Sequence, residues 1–308
     1  MKYSVVIPVY GSANILDDTI RRTVSFFEGQ DWDYELIMVN DGSPDNSWQK
    51  LSEHAAQNPN IVAINLLKNY GQHNALFCGF HHVSGDYIVT IDDDLQNPPE
   101  DIAHLAAKIE EGYDIVYGKF HHKQHAGYRR LGSKIIEQLN RRIFGQPPDL
   151  TVTNFRLMRR DVVDRMTQYQ TGYPYITGLS LMFSNRRANV MVEHHPRSSG
   201  SSGYNWRKIL TLVTRIIFNY SSYPLRVVST LGFITAAVAF AMGIYYLLRA
   251  LIIGYEVPGW ATVVVLLAFF NGINIVIISM LAEYVMRLLK QVSMGKPYQI
   301  AEVVNYRG

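Results

Sequence analysis

The chain has 308 residues, 48% of them hydrophobic and 18% charged, with a formal net charge of +3. That balance excludes a disordered chain. The small excess charge, with no basic stretch interleaved with aromatics, excludes a nucleic-acid-binding module, and the single cysteine, Cys78, excludes an intrachain disulfide and fits a reducing compartment.

The chain begins Met-Lys-Tyr-Ser and runs straight into an apolar strand, without the apolar core of a secretory signal, so the N-terminal domain is expected in the cytoplasm. β-branched runs predict strands at 3–9, 34–40, 61–67, 87–91 and 114–117. Between them, helical spacing predicts helices at 13–27, with Ser12 as N-cap, at 71–83 and at 99–111. Strands alternating with helices imply βαβ units and a mostly parallel sheet buried on both faces. Ligands in such sheets bind at the carboxyl ends of strands, which singles out Tyr10, Asp41, residues 69–72 and residues 92–96.

Residues 119–204 are less regular. A helix is expected at 129–144, a strand or turn at 151–160 carrying Arg156, Arg159 and Arg160, and a Ser/Gly-rich mobile loop at 196–204. His121, His122 and His125 read as a solvated loop, since no acid or cysteine completes a metal set. Residues 205–220 form an amphipathic helix, either packed on a core or lying in a bilayer interface; its place before a long apolar run favours the interface.

Residues 227–248 and 257–282 carry no charge and are long enough to cross a membrane. Arg207, Lys208, Arg215 and Arg226 flank them on one side and Arg287, Lys290 and Lys296 on the other, against Arg249 alone in the connecting loop. The positive-inside rule then puts both flanks in the cytoplasm. Asn271 and Asn274 lie inside the second span and are expected to face a neighbouring helix, which suggests oligomer contacts.

Three motifs carry chemistry. Residues 90–100 (TIDDDLQNPPE) set three carboxylates at the end of an apolar strand. Adjacent carboxylates repel, and a divalent cation removes that cost: Mg²⁺ takes one or two carboxylates plus substrate phosphate oxygens. Asp94 is the expected metal ligand, and Asp92 serves the metal or a ribose. An acidic first turn that merely stabilises the next helix is the alternative. Residues 39–45 (VNDGSPD) place Asp41 at a strand end, for a nucleotide or simply for an Asp-Gly turn. Residues 68–75 (KNYGQHNA) set a glycine before a helix whose amino end favours phosphate.

Together with 6–10 (VIPVY), 83–86 (VSGD) and 155–157 (FRL), these pieces resemble family 2 glycosyltransferases of GT-A fold. More narrowly, the chain is similar to the polyprenyl-phosphate branch: dolichyl-phosphate mannose synthase, the prophage bactoprenol glucosyltransferases and the undecaprenyl-phosphate aminoarabinose transferase. The resemblance implies an α/β GT-A domain at 1–204, an interfacial helix at 205–223, a transmembrane hairpin at 224–283 and a cytoplasmic tail at 284–308. It implies transfer with inversion from a nucleotide sugar, UDP-linked, to polyprenyl (undecaprenyl) phosphate at the bacterial inner membrane, in a homo-oligomer such as a tetramer, with both termini cytoplasmic and Mg²⁺ or Mn²⁺ as cofactor.

By the same resemblance Pro8, Tyr10, Asp41, Gln72 and Asp92 line the nucleotide site. Asp92, Asp94 and Gln96 hold the metal and diphosphate, Arg156 faces the diphosphate, and Lys119, Arg129 and Ser133 receive the acceptor phosphate. The chain departs from the family pattern at Asp93, where a small residue is usual, at Gly203 before Tyr204, where lysine is usual, and at Asn154, where aspartate is usual. Asp149 stands nearby as a substitute base. Alternatives are a processive polysaccharide synthase, for which more membrane helices and a Gln-x-x-Arg-Trp motif are missing, and a non-catalytic nucleotide-sugar sensor or membrane scaffold.

Overall fold

The run Lys2–Val9 forms β1, buried on both faces as a central parallel strand must be. It pairs in parallel with β2 (Asp33–Asn40) and β4 (Tyr87–Thr90), and β2 pairs in parallel with β3 (Ile61–Leu66). Pro8 sits inside this central strand without loss of pairing on the β4 side, because that ladder stops at Val6. The sheet continues through β5 (Ile115–Phe120), β6 (Arg156–Arg159), β7 (Arg187–Val192) and β8 (Ile300–Val304), in the order β7-β5-β6-β4-β1-β2-β3-β8. β6 runs antiparallel to β4 and β5, and β8 antiparallel to β3. These features come from a computed structural model that describes residues 1–120, 127–193, 206–253, 259–293 and 296–306.

Helices cover the sheet. α1 (Leu16–Gly29) buries Leu16, Ile20, Thr23 and Phe27, one stripe at helical spacing. α2 (Ser47–Gln57) follows β2, and α3 (Gln72–Phe80) is buried along nearly its whole length. A short 3₁₀ turn at Pro99–Asp101 leads into α4 (Ile102–Ile109); α5 (Gly127–Phe144), α6 (Arg160–Gln168) and α7 (Ile176–Met182) complete the domain. At the amino end of the sheet Glu35 joins three segments. It accepts hydrogen bonds from Ser4 Oγ (2.5 Å), Ser84 N (2.5 Å) and Ser84 Oγ (2.6 Å), and pairs with Lys2 Nζ at 3.0 Å. The 83–86 motif thus serves the fold.

The chain forms two compact units, Met1–Val213 with Gly295–Gly308, and Thr214–Met294. In the second, α9 (Tyr223–Ile253) and α10 (Trp260–Ser293) pack on each other near Gly232 and Ile277. Phe233, Phe240, Leu251 and Ile252 are 73–80% exposed. Tyr223–Tyr245 and Phe269–Met286 are long and apolar enough to cross a membrane, with mean hydropathy 2.1 and 1.6. α8 (Trp206–Tyr220) precedes them.

Two details differ from the sequence expectation. α1 starts at Leu16 with Ile15 as its cap, so Ser12 is not the N-cap. Asn271 and Asn274 lie on α10, where the Asn271 amide donates to the Leu267 carbonyl of its own helix at 2.9 Å. Residues 284–293 continue α10, and 296–306 return to the sheet as β8 and its flanks, so 284–308 is not a free tail. The histidines at 121–125 and the 196–204 loop lie outside the described residues.

Candidate active site

β1 to β4 are parallel, so the loops following them, at 10–15, 41–46, 67–71 and 91–98, gather on one edge of the sheet. Asp92 stands at the centre. The first residue of α3, Gln72, donates from Nε2 to Asp92 Oδ1 at 2.6 Å. Burial pushes the Asp92 carboxyl up to about 6, helped by repulsion from Asp94 and Asp93, while the Asn154 side chain and the Arg156 charge pull it down.

Asp93 turns the other way. It accepts hydrogen bonds from Tyr10 N at 3.3 Å and from Ser12 Oγ, and its own carbonyl accepts from Thr19 Oγ1 at 3.0 Å. The unusual middle acid of the motif is therefore a strut between the 91–98 loop and the loop after β1, and Ser12 is its partner. Asp94 is partly exposed and accepts from Gln96 N at 3.2 Å, a turn that forces Leu95 to φ 54°. A leucine in the left-handed region costs about 1 kcal/mol or more, and such strain gathers at functional sites.

Asp92, Asp94 and Gln96 offer only hard oxygen donors on the protein side, the set Mg²⁺ and Mn²⁺ prefer. No three His, Cys, Asp or Glu side chains form a cage among the described residues. A cation bound jointly with a diphosphate needs only one or two carboxylates. The residues fit such an ion, and the mutual repulsion at Asp92 is the cost it would relieve.

The neighbouring loops interlock. Asp41, 2% exposed, accepts from Tyr70 N at 2.7 Å and Gly71 N at 2.8 Å. Burial raises its pKa and those two N–H groups oppose the rise. Asp41 is thus first a staple on the 67–71 loop, with lone pairs left for a base N–H. Asn40 Nδ2 donates to Asn65 Oδ1 at 2.8 Å, Ser43 Oγ donates to Asn40 Oδ1 at 2.5 Å, and Gly11 N donates to Ser43 Oγ at 3.1 Å. Gly42 closes the contact: at φ +63°, a Cβ there would meet Lys68 C at 2.5 Å and Asn69 N at 2.6 Å. Gly42→Ala is expected to cost about 3 kcal/mol, because backbone must move and the dihedral is strained. Thermal unfolding reads the loss; a variant as stable as wild type would refute the interlock.

Arg156 is fully enclosed, because antiparallel pairing sets it opposite Thr90 inside the sheet. Its Nε donates to Thr90 Oγ1 at 3.1 Å and Nη1 to Ser180 Oγ at 3.4 Å. It does not face a diphosphate, as the sequence suggests, but supports Asp92 electrostatically from within. The His73 ring stands edge-on to Tyr173 and Tyr175, at 6.0 and 5.3 Å. Nothing in the sequence signals that Tyr173 and Tyr175 reach α3, since the contact is made by a distant segment. Ser12 and Asn65 also escape sequence reasoning as site residues.

The remaining expected residues are more dispersed. Tyr10 is 54% exposed at the strand end, whereas Pro8 is buried in β1. Lys119 is half-buried on β5, and Ser133 is exposed on α5, one turn after Arg129, whose side chain lies outside the described residues. Asp149 is exposed in the turn after α5 and has no hydrogen-bonded or ion-pair partner among the described residues.

The family described as glycosyl transferase family 2 matches residues 4–167. Among solved structures, glucosyl-3-phosphoglycerate synthase from Mycobacterium tuberculosis, in complex with Mn²⁺, uridine diphosphate and phosphoglyceric acid, is similar with a TM-score of 0.52 and 16% identity over 70% of this chain and 76% of that one. The same synthase with Mn²⁺, UDP-glucose and phosphoglyceric acid gives 0.51 and 16%, over 70% and 77%. Residues 1–349 of TarS from S. aureus give 0.45 and 16%, over 71% of this chain and 66% of that fragment's length. At this identity the synthase shares the fold.

Proposed function

This chain belongs to glycosyl transferase family 2, and from that premise we propose that it moves one sugar from a uridine-linked nucleotide donor onto the phosphate of a membrane-embedded polyprenyl phosphate. The observation that carries the acceptor class is connectivity. The chain leaves the catalytic unit at Val213, forms two long apolar helices and returns to the same unit from 295 onward. In this reading both ends of the hairpin lie on one side of the bilayer, which the flanking Arg and Lys residues favour. An enzyme so anchored meets a lipid phosphate at the interface and a nucleotide sugar from solution.

The chemistry asks little of a base. A phosphate monoester is mostly ionised at neutral pH, its second pKa being about 6. Its oxygen attacks the anomeric carbon as the bond from that carbon to the diphosphate breaks, and the electron pair leaves with the nucleoside diphosphate. Asn154 beside Asp92, and Asp149 at the surface, fit a reaction without proton abstraction. Gln72 fixes Asp92, Asp93 fixes the loop after β1, and Asp41 fixes the loop after β3, so the protein's contribution is orientation. A divalent cation held by Asp92, Asp94 and Gln96 would neutralise the leaving diphosphate. Lys119, Arg129 and Ser133 are proposed to receive the acceptor phosphate, and the protein to act as a homo-oligomer in the inner membrane with both termini cytoplasmic.

The test is direct. Detergent-purified protein receives undecaprenyl phosphate, Mn²⁺ and a panel of nucleotide sugars, and the lipid is read by mass spectrometry. Gain of one hexose-sized mass, abolished by EDTA, is expected. Longer products would favour a processive synthase, and no lipid product with any donor would sink the acceptor reading.

A further inference from the structure

Residues 296–306 make contacts that a terminal tail does not need. β8 pairs antiparallel with β3, from Ala63 opposite Val304 to Leu66 opposite Ile300. Beyond the last pair, Leu67 N donates to the Gln299 carbonyl at 2.9 Å. Tyr298 is buried at 3% exposure, and its hydroxyl lies 3.2 Å from His81 Nδ1 at the far end of α3. Tyr306 stands edge-on to His82, ring centroids 4.9 Å apart. Asn305 Nδ2 donates to the carbonyls of Asn58 and Ile61, at 3.1 and 2.8 Å, which fixes the start of β3. The segment therefore holds β3 at both ends and α3 at its C-terminus.

β3 and α3 bracket residues 67–71, the loop of the candidate donor site. Without β8, β3 would be the sheet edge, with its N–H and C=O groups open to water and its trailing loop held from one side only. With β8, that loop is held on both sides: Leu67 on Gln299, Tyr70 and Gly71 on Asp41. Asn65, opposite Glu302 in the ladder, carries the hold onward through Asn40 and Ser43 to Gly11. Gln72, next after the loop, orients Asp92.

We propose that the segment 296–306 is a positioning element of the donor site: it sets the 67–72 loop for a nucleoside diphosphate. The role assigned to the loop rests on the donor reading above; the hold of the segment on the loop rests on the contacts alone. No residue of the segment touches the reacting atoms, so its signature is selective. Donor affinity should fall while the acceptor step is left as it was.

The experiment uses the full chain in detergent, with Tyr298→Ala, Tyr298→Phe and a deletion of 296–308. Hydrogen–deuterium exchange is followed at the amides of Leu67, Tyr70 and Gly71, with β4 as internal control. Transfer kinetics are measured with Mn²⁺, varying donor and acceptor separately. Faster exchange at 67–71 with β4 unchanged is expected, together with a donor KM raised about tenfold and acceptor KM and kcat nearly unchanged. Tyr298→Phe, which keeps the ring and loses only the hydroxyl, should give a smaller effect in the same direction. Unchanged exchange in Tyr298→Ala and in the deletion overturns the proposal. So does a parallel fall in kcat and in affinity for both substrates, which marks a general loss of structure. If the wild-type protein itself binds no uridine diphosphate, the donor reading fails, and the exchange data alone decide whether the segment sets the loop.

Discussion

Asp92→Asn is expected to lower sugar transfer by about three orders of magnitude or more while making the nucleotide-free protein more stable near pH 7.5. The two effects have one cause. Burial, with Asp94 and Asp93 close by, raises the Asp92 carboxyl from an ordinary 3.8 to about 6. A raised carboxyl pKa means that ionisation is disfavoured in the fold relative to the unfolded chain. The penalty is absent below about pH 4, grows between 4 and 6, and is complete above 6, where it amounts to roughly 3 kcal/mol. Asparagine keeps the shape and removes the charge, so the penalty goes and so does the carboxylate that would share a cation with the diphosphate. Melting curves from about pH 5 to pH 8, with and without Mn²⁺, read this directly. The advantage of Asp92→Asn over wild type should widen as pH rises from about 5 to 6, stay level above that, and close again when Mn²⁺ is added to the wild type. A variant that melts below wild type at every pH and still transfers sugar would show that Asp92 is an ordinary structural acid.

The parallel core was legible in the sequence because its strands are buried on both faces and therefore written as continuous apolar runs. β1 through β4 fall within a residue or so of their expected ends. The two long apolar helices were legible for the same reason, at greater length. β7 and β8 were not. In β7, half-buried and buried residues mix without a clean period, and β8 (IAEVV) is too short and too polar to announce itself after a long helix. Its pairing with β3 spans more than two hundred positions of sequence, a separation that no local pattern encodes.

The candidate site divides in the same way. Asp92, Asp94 and Gln72 could be named from motifs, because strand-end acids and a glycine before a helix have direct physical meanings. The partnership of Asp93 with Ser12 could not, since an acid run looks alike whichever way each carboxylate turns. Arg156 was visible as part of a charge run at 156–160, yet only the antiparallel register of β6 against β4 shows that it points inward while Arg159 is exposed. In alternating structure one residue of phase decides whether an arginine meets ligand, solvent or core.

That inward arginine gives the second large effect. Arg156→Met keeps most of the side-chain volume and removes the charge. Thr90 Oγ1 and Ser180 Oγ each lose a hydrogen-bond donor, and Asp92 loses its nearby cation. Hydrogen bonds to a charged donor are worth about 1.5–3 kcal/mol each, and two of them are lost from a buried place. A loss of that size is expected in thermal unfolding near pH 7.5, with transfer reduced about a hundredfold or more because the support beneath Asp92 is removed. The guanidinium also carries a burial cost of its own, and Nη2 has no hydrogen-bond acceptor among the described residues, so the loss should depend on Asp92 being charged. A double-mutant cycle isolates that dependence. In an Asp92→Asn background, Arg156→Met should cost less, because the share owed to the Asp92 charge is gone. Equal costs in both backgrounds would mean that Arg156 only fills space between β4, β5 and α7, and its placement beneath Asp92 would then have no electrostatic purpose.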